Sequence, residues 1–573
     1  MKMKTKGHSG AEAFLQLLAG MGVDRIFACP GSEWAPVWES LANPTLKSKP
    51  IYLSSRHEEI AIGMASGYAK ATGRLPAVML QTTVGALHAS MAMRVALHEN
   101  VPMVVFAGES IRFGEPPGPD PGGHWLGQLA DVGGPARLVE RCAKWSLAIN
   151  TKAIIPATIQ RACQLAMTAP RGPVFVSLPM EFLFETMSVD APGSAGIPLS
   201  PIADHRGLDK LVDMLFEADH ALIVTEECGR NVAAVERLVE ISDLLAIPVV
   251  ETRTAGYVNF PRNHPLHAGF EPSAILNESD LVLLIGAIAP WHPPSAGPKN
   301  GAQVVVLDEN PLRPELPYWG YQVDLCVTGS VASSLHQILE RVKRRLNDRD
   351  ASRAQSLDHW AKRHQEQARA WREEVLACKD ERPLDMRWIL HEINEVLPAE
   401  AIVVEETITH RYAVNRYLNR LKPGQFFSGA IGGLGTGLGT ALGVKSAAPD
   451  QPVILVIGDG SFNYNPVLAA LGFAQEYRMP IMIIILNNHG FLSQKQGIPL
   501  HYPDGWAVKT NTFVGTSISP SPQYSCLASV FGGFGEKVDD PNEVRPSLKR
   551  AFMALASGKL EPISKLLGGV DRL

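Results

Sequence analysis

Short runs of consecutive apolar residues alternate along this chain with stretches whose apolar positions recur every three to four residues. In the first third, Arg25 to Ala28, Ala77 to Gln81, Met103 to Ala107 and Val174 to Leu178 predict strands, while Glu58 to Thr72 and Leu87 to His98 predict helices. Strands that are apolar throughout are buried on both faces, so this pattern predicts a parallel sheet covered by helices. A Pro/Gly/Ser-rich stretch after Leu178, VDAPGSAGIPLSP, then reads as a linker. A second set of strands is expected at Ala221 to Val224, Pro248 to Glu251, Leu281 to Ile285 and Val304 to Leu307. A third set is expected at Ile402 to Val404, Val453 to Ile457 and Ile481 to Leu486. Between these sets, Leu339 to Arg382 is charged with interleaved signs, the pattern of a solvated helix. The fold class expected is α/β, with three doubly wound parallel-sheet domains at 1–185, 200–345 and 383–560 and a helical connector at 346–382.

Composition narrows the picture. At roughly 150 residues per domain, 573 residues suggest about three to four domains, enough to fold without disulfide or metal staples. Hydrophobic residues make up 46% and charged residues 19%, a globular balance. The formal net charge is −5 and no basic arm stands out, which argues against a nucleic-acid partner. The seven cysteines are scattered and none forms a C-x-x-C pair, as expected of reduced thiols. The basic N-terminus turns amphipathic and lacks a signal peptide's apolar core, and the longest apolar stretch is too short to span a bilayer. The expectation is a soluble, cytoplasmic protein with no membrane contact.

The densest candidate chemistry lies between Ile454 and Phe491. Two apolar strands each run into a polar turn there, Gly458-Asp459-Gly460-Ser461 and Asn487-Asn488-His489-Gly490. Ligands of parallel sheets collect at the carboxyl ends of strands, so adjacent strands would set these turns side by side. The Asp459 carboxylate and the Asn488 amide oxygen are hard donors, suited to a Mg²⁺ ion that also takes oxygens from a diphosphate. Two ordinary turns would offer the same residues, but not this joint spacing. Upstream, the run from Ser428 to Gly443 is rich in glycine, which fits either a nucleotide loop or close helix packing. Near the N-terminus, Arg56-His57-Glu58-Glu59 opens a helical pattern, where two acids could simply complement the helix dipole.

Taken together, these strings resemble the thiamine-diphosphate-dependent enzymes of the acetolactate synthase and benzoylformate decarboxylase (pyruvate decarboxylase-like) family. That family's motif begins at Gly-Asp-Gly and ends at Asn-Asn, across a spacer matched here by 461–486. The resemblance implies a pyrimidine-binding, a middle and a diphosphate-binding domain. Thiamine diphosphate and Mg²⁺ would be the cofactors, with Asp459, the Asn488 side chain and the Gly490 carbonyl holding the metal. Gly460, Ser461 and Phe491 would lie against the cofactor, with Ser461 at the diphosphate. Thr407 and Thr409, after the strand at Ile402, would reach the same group, although either also reads as a helix N-cap. Gly432 would meet the aminopyrimidine ring, and Leu434, otherwise a core leucine, would force the bent shape of the cofactor. Glu58, ahead of Glu59, would be the catalytic carboxylate that bonds the pyrimidine and promotes loss of the thiazolium proton. First and third domains of this family come from different subunits. A homodimer or homotetramer with active sites at the subunit interface is therefore expected.

Two subgroups share features with the chain. Cys29-Pro30-Gly31-Ser32-Glu33 resembles the decarboxylase and places Ser32 at the substrate carboxylate, although Pro-Gly-Ser is also turn chemistry. One of the decarboxylase's two active-site histidines is replaced by Gln81, and the other falls near His292, which also reads as a loop histidine. Arg56-His57-Glu58 and Gln128-Leu-Ala-Asp-Val132 resemble acetolactate synthase, with Gln128 at its active-site glutamine or simply at the surface. The Arg-Phe-Asp-Asp-Arg string of the synthases is missing after Ile285-Gly286, which disfavours FAD. The loop between Gly114 and Trp125 and the tail from Lys559 both depart from the relatives. The function expected is cleavage or formation of a C–C bond on a 2-oxo acid, by decarboxylation with carboligation open. An FAD-containing oxidoreductase like pyruvate oxidase, a 2-hydroxyacyl-CoA lyase and a catalytically silent member stand as alternatives.

Overall fold

Three wholly parallel sheets follow one another along the chain. In the computed structural model the structure describes residues 8–111, 119–124, 133–187, 196–298, 301–314, 316, 319–346, 350–429, 433–556 and 563–567. The first sheet has the order Ile51–Ser54, Arg25–Cys29, Ala77–Leu80, Met103–Glu109, Pro173–Pro179, Trp145–Ala148. The third has the order Phe426–Ser428, Ile402–Glu406, Val453–Gly458, Met482–Leu486, Ile563–Leu567, Gly535–Val538. Both therefore run second, first, third, fourth, sixth, fifth in chain order. The middle sheet runs Val249–Glu251, Ala221–Thr225, Leu281–Ile285, Gln303–Asp308, Leu325–Thr328. In each, winding reverses beside the first strand, and a crevice opens there at the strands' carboxyl ends.

Within these three sheets the sequence pattern finds all but six strands: Ile51–Ser54, Trp145–Ala148, Leu325–Thr328, Phe426–Ser428, Gly535–Val538 and Ile563–Leu567. Five of these are sheet edges. Several are only partly covered or very short: Trp145–Ala148 has no fully buried residue and Phe426–Ser428 is three residues long, whereas Leu281–Ile285 is buried throughout. The departing tail still supplies a strand, Ile563–Leu567, between Met482–Leu486 and Gly535–Val538.

The chain divides into two compact units. One comprises the described residues of Met1–Leu199, Gly432–Asp450 and Asn463–Pro480, and the other the rest. Within the first, the Glu58–Thr72 helix packs on Gly437–Ala447 at backbone distance. A Cβ added to Gly63 would stand 2.9 Å from the Gly439 Cα, one on Gly67 2.0 Å from the Thr440 carbonyl oxygen, and one on Gly443 2.0 Å from that of Met64. Each helix thus offers two glycines one turn apart, and the glycine-rich run serves close helix packing from Gly439 onward. Gly67→Val is expected to lower the thermal unfolding midpoint, since overpacking a filled contact costs about 1–3 kcal/mol and here the obstacle is backbone. An unchanged midpoint would contradict this packing.

In the second unit, the Asp350–Ala377 helix carries i,i+4 ion pairs on its exposed side, Lys362 with Asp358 and Arg369 with Glu373. Its Trp360 packs on the middle core and its Trp371 on the C-terminal core. Buried Arg262 joins the same two layers: it pairs with Glu251 at 3.4 Å and donates to the Leu418 carbonyl at 3.0 Å and Asn415 Oδ1 at 3.1 Å. No helix among the described residues is long and apolar enough to cross a membrane.

Candidate active site

The crevice of the third sheet collects the oxygen donors. Val453–Gly458 and Met482–Leu486 pair in register, Gly458 opposite Leu486, so the turns that follow them emerge side by side. Asp459 is 2% exposed. The Gly490 N–H donates to both Asp459 Oδ2 and Asn488 Oδ1, at 3.1 Å each, so these two oxygens converge on one point. His489 takes a left-handed backbone, φ +59°, which folds the turn back so that Asn488 and Gly490 face Asp459. The Gly490 carbonyl oxygen lies 3.8 Å from the position of a Cβ on Gly460, and Phe491 lies 3.0 Å from it. A side chain at Gly460 would therefore fill the space between the two turns.

Electrostatics favour a cation beside these oxygens. Burial raises the Asp459 carboxyl above its ordinary range, partly offset by the N–H groups of Gly460, Gly490 and Asn488. Ionising a carboxylate in this place is costly, and a bound cation would offset that cost. Two convergent hard oxygens, a nearby carbonyl and a cradle that admits no Cβ fit a Mg²⁺ ion carrying a diphosphate. A cleft of about 460 Å³ opens beside the turn, lined in part by Asn488, Gly490, Phe491, Lys495 and Phe513.

Thr407 follows the strand next to Asp459's, but its hydroxyl and N–H both donate to buried Glu405. Ser428 donates to the same carboxylate at 2.5 Å and Arg411 at 3.0 Å. Burial pushes Glu405 up, and Arg411, Ser428 and Thr407 more than offset this, leaving it below the usual carboxylate range. Thr407 is thereby fixed with its proton turned inward, and Thr409, half-buried, is the other hydroxyl at this turn. Ser461 is buried in the short Asp459–Tyr464 helix.

The crevice of the first sheet holds the second group. Glu58, 8% exposed, begins its helix after the strand Ile51–Ser54. The Cys29–Ser32 and Gln81–Thr82 turns leave adjacent strands, with the Gln81 N–H donating to the Cys29 carbonyl at 3.2 Å. Gln81 is half-buried and leans over Gly31, while Ser32 is exposed. Glu33, which no sequence pattern singles out, is buried and accepts the Thr82 N–H at 3.0 Å, bracing one turn against the other. Cys29 and His88, whose local sequence gives no sign of it, both face Glu58. Leu434, half-buried, sits between Gly433, which abuts Val95 and Met91, and Gly435, beside Glu59. His292 is exposed on the loop after Leu281–Ile285, whose backbone N–H groups at Ile288 and Ala289 bond buried Glu226. Gln128, Gly432 and the core of the 114–125 loop lie outside the described residues.

Comparison with known proteins places the chain in a family. Three models of the thiamine pyrophosphate enzymes match: the N-terminal TPP binding domain at 8–128, the central domain at 208–338 and the C-terminal TPP binding domain at 408–559. The chain is 27% identical to benzoylformate decarboxylase of Pseudomonas aeruginosa, over 95% of this chain and 96% of the relative. It is 26% identical to the mitochondrial acetolactate synthase catalytic subunit of Aspergillus candidus, over 98% and 82%. Among solved structures, the thiamine diphosphate-dependent 4-hydroxybenzoylformate decarboxylase of Rhodococcus jostii RHA1 has the same fold, with a TM-score of 0.80 at 23% identity, covering 98% of this chain and 99% of that one. Two TPP-binding domains flanking a central domain, each built on its own parallel sheet, identify this chain as a member of the thiamine pyrophosphate enzyme family.

Proposed function

We propose that the chain uses thiamine diphosphate and Mg²⁺ to break the C–C bond beside the carbonyl of a 2-oxo acid, releasing CO₂. Passing the remaining fragment to an aldehyde or a second oxo acid is the ligase variant of the same chemistry. The observation that carries this reading is the convergence of Asp459 and Asn488 oxygens in a cradle without a Cβ. Kinship at 25–27% identity with benzoylformate decarboxylase and acetolactate synthase supports the substrate class.

Bound thiamine diphosphate supplies the electron sink for the bond that breaks. Asp459, Asn488 and the Gly490 carbonyl hold Mg²⁺, and Ser461 and Thr409 face the diphosphate. Glu58 bonds the pyrimidine ring, and its seat at a buried helix start keeps the carboxyl away from water. Leu434 and Gly432 shape the ring's seat. Ser32, Gln81, Gln128 and His292 are the candidates for contacting the oxo acid. The working form is a homodimer or homotetramer in the cytoplasm, with active sites at the subunit interface and domains at 1–185, 200–345 and 383–560.

Holoenzyme incubated with alkyl and aryl 2-oxo acids is expected to release CO₂ from at least one of them, in a cofactor-dependent way. Failure to release CO₂ or form a ligation product from any member of a broad panel would overturn the proposal.

A further inference from the structure

The environment of Glu58 contains a partner that its position in the sequence does not reveal. His88 stands thirty residues further on, in the Thr83–His98 helix, and its Nδ1 lies 3.3 Å from Glu58 Oε2. On the single chain its side chain is 63% exposed while that of Glu58 is 11% exposed, so the imidazole links a buried carboxyl to the wall of the first sheet's crevice. The His88 ring stacks on His57, with centroids 5.5 Å apart and planes 5° from parallel.

The ligand atoms of His57, Glu58 and His88 lie within 4.8 Å of one another, a grouping that could hold a transition metal. His57 argues against that use. Its Nδ1 accepts the Glu59 N–H at 3.1 Å and so caps the Glu58–Thr72 helix. Coordination through Nδ1 would take that lone pair, and coordination through Nε2 would put the ring proton on Nδ1. Either one ends the cap.

The other groups facing Glu58 are held in other roles or keep their proton. The Cys29 thiol, at the end of the neighbouring strand, is pushed up to about 12 by burial and by Glu58 itself, so it stays protonated. Burial holds the half-buried His57 below the usual imidazole range, and its Nδ1 is committed to the cap. Glu59 points to Gly435, and Gln81, near Gly85, is uncharged.

We propose that His88 is the positioning residue of Glu58 and its proton relay to water in the active-site crevice. The proposal rests on the reading of Glu58 as the carboxylate that bonds the cofactor's pyrimidine. When Glu58 carries a proton, its O–H bond breaks and an N–H bond forms at His88 Nδ1, while the Nε2 proton passes to water. The pair returns to carboxylate and neutral imidazole, and the reverse sequence reloads Glu58. Between transfers the imidazole holds Oε2 in place, leaving Oε1 for the cofactor.

The test compares holoenzyme with its His88→Ala and His88→Gln variants. Calorimetry of thiamine diphosphate binding to apoprotein in Mg²⁺ is expected to give an affinity within about tenfold of the original, the value of one hydrogen bond. The same titration in two buffers of different ionisation enthalpy counts protons exchanged on binding, and His88→Ala is expected to shift that count. Turnover kcat is expected to fall by about 10- to 100-fold in His88→Ala with KM little changed, at the low end of proton-transfer contributions. Exogenous imidazole should restore much of that loss, and His88→Gln, which can hold the oxygen but relay nothing, should remain slow. A His88→Ala enzyme with full kcat, a His88→Gln enzyme as fast as the original, or no rescue by imidazole would overturn the proposal. Full activity in Glu58→Gln would instead overturn the reading beneath it, and that variant separates the two failures.

Discussion

Replacing Glu58 with glutamine is expected to remove most turnover while the protein still takes up thiamine diphosphate. The amide matches the carboxyl in size, so the packing of a residue 8% exposed at the start of the Glu58–Thr72 helix is kept, and so is the surface that a pyrimidine ring would meet. What is lost is the ability to hold and return a proton at Oε1 or Oε2. Positioned acid–base groups contribute about 10²- to 10⁴-fold, so kcat should fall by that much, with cofactor affinity within about tenfold. Steady-state rates measured beside calorimetric binding check both halves. Full activity would remove Glu58 from the chemistry, and loss of binding alone would assign it to the seat of the ring.

Asp459→Ala is expected to act on the proposed diphosphate and metal site and to fail earlier. Asp459 Oδ2 and Asn488 Oδ1 converge on the Gly490 N–H, and removing the carboxylate leaves one side-chain oxygen and a carbonyl, with no negative charge to meet the cation. Disturbing groups that merely orient metal ligands costs about 10- to 100-fold, so loss of a direct ligand should cost more than about 100-fold in Mg²⁺-dependent cofactor binding. The expected phenotype is an inactive protein with unchanged fold that stays empty at cofactor concentrations saturating the original. Asn488→Ala should follow in the same direction with a smaller loss, because it removes a neutral donor. Wild-type binding in Asp459→Ala would separate the Gly-Asp-Gly turn from any metal.

These two sites differ in how far the sequence reveals them. The Asp459 and Asn488 turns follow strands that are apolar from end to end, and such strands announce both their own burial and their parallel pairing. Once Val453–Gly458 and Met482–Leu486 are neighbours, the turns must meet. The helix at Glu58 is legible to the residue, because Arg56-His57 precedes it and Gly73, in the left-handed conformation, ends it. The six missed strands are mostly edges, and several are short or only partly covered, which leaves little apolar run to read.

Contacts made only by tertiary packing leave no local trace. His88 reaches Glu58 because the Thr83–His98 helix runs back along the sheet beside Glu58–Thr72, and its identity within a helical pattern is that of any polar surface residue. Glu33 looks like a turn residue and is buried beneath two turns. Glu405 reads as the end of a strand, yet it gathers Thr407, Arg411 and Ser428 and so decides where the Thr407 proton goes. The glycine-rich run allowed two readings, a loop for a ligand and a close helix contact. Gly439 and Gly443 take the second, and the choice depends on Gly63 and Gly67, almost four hundred residues earlier, lying opposite.

The most direct test of the account is diffraction from crystals grown with thiamine diphosphate and Mg²⁺. The account predicts Mg²⁺ on Asp459, Asn488 and the Gly490 carbonyl oxygen, and a pyrimidine ring within hydrogen-bonding distance of a Glu58 carboxylate. A cation bound elsewhere, or a ring with no Glu58 beside it, would contradict it.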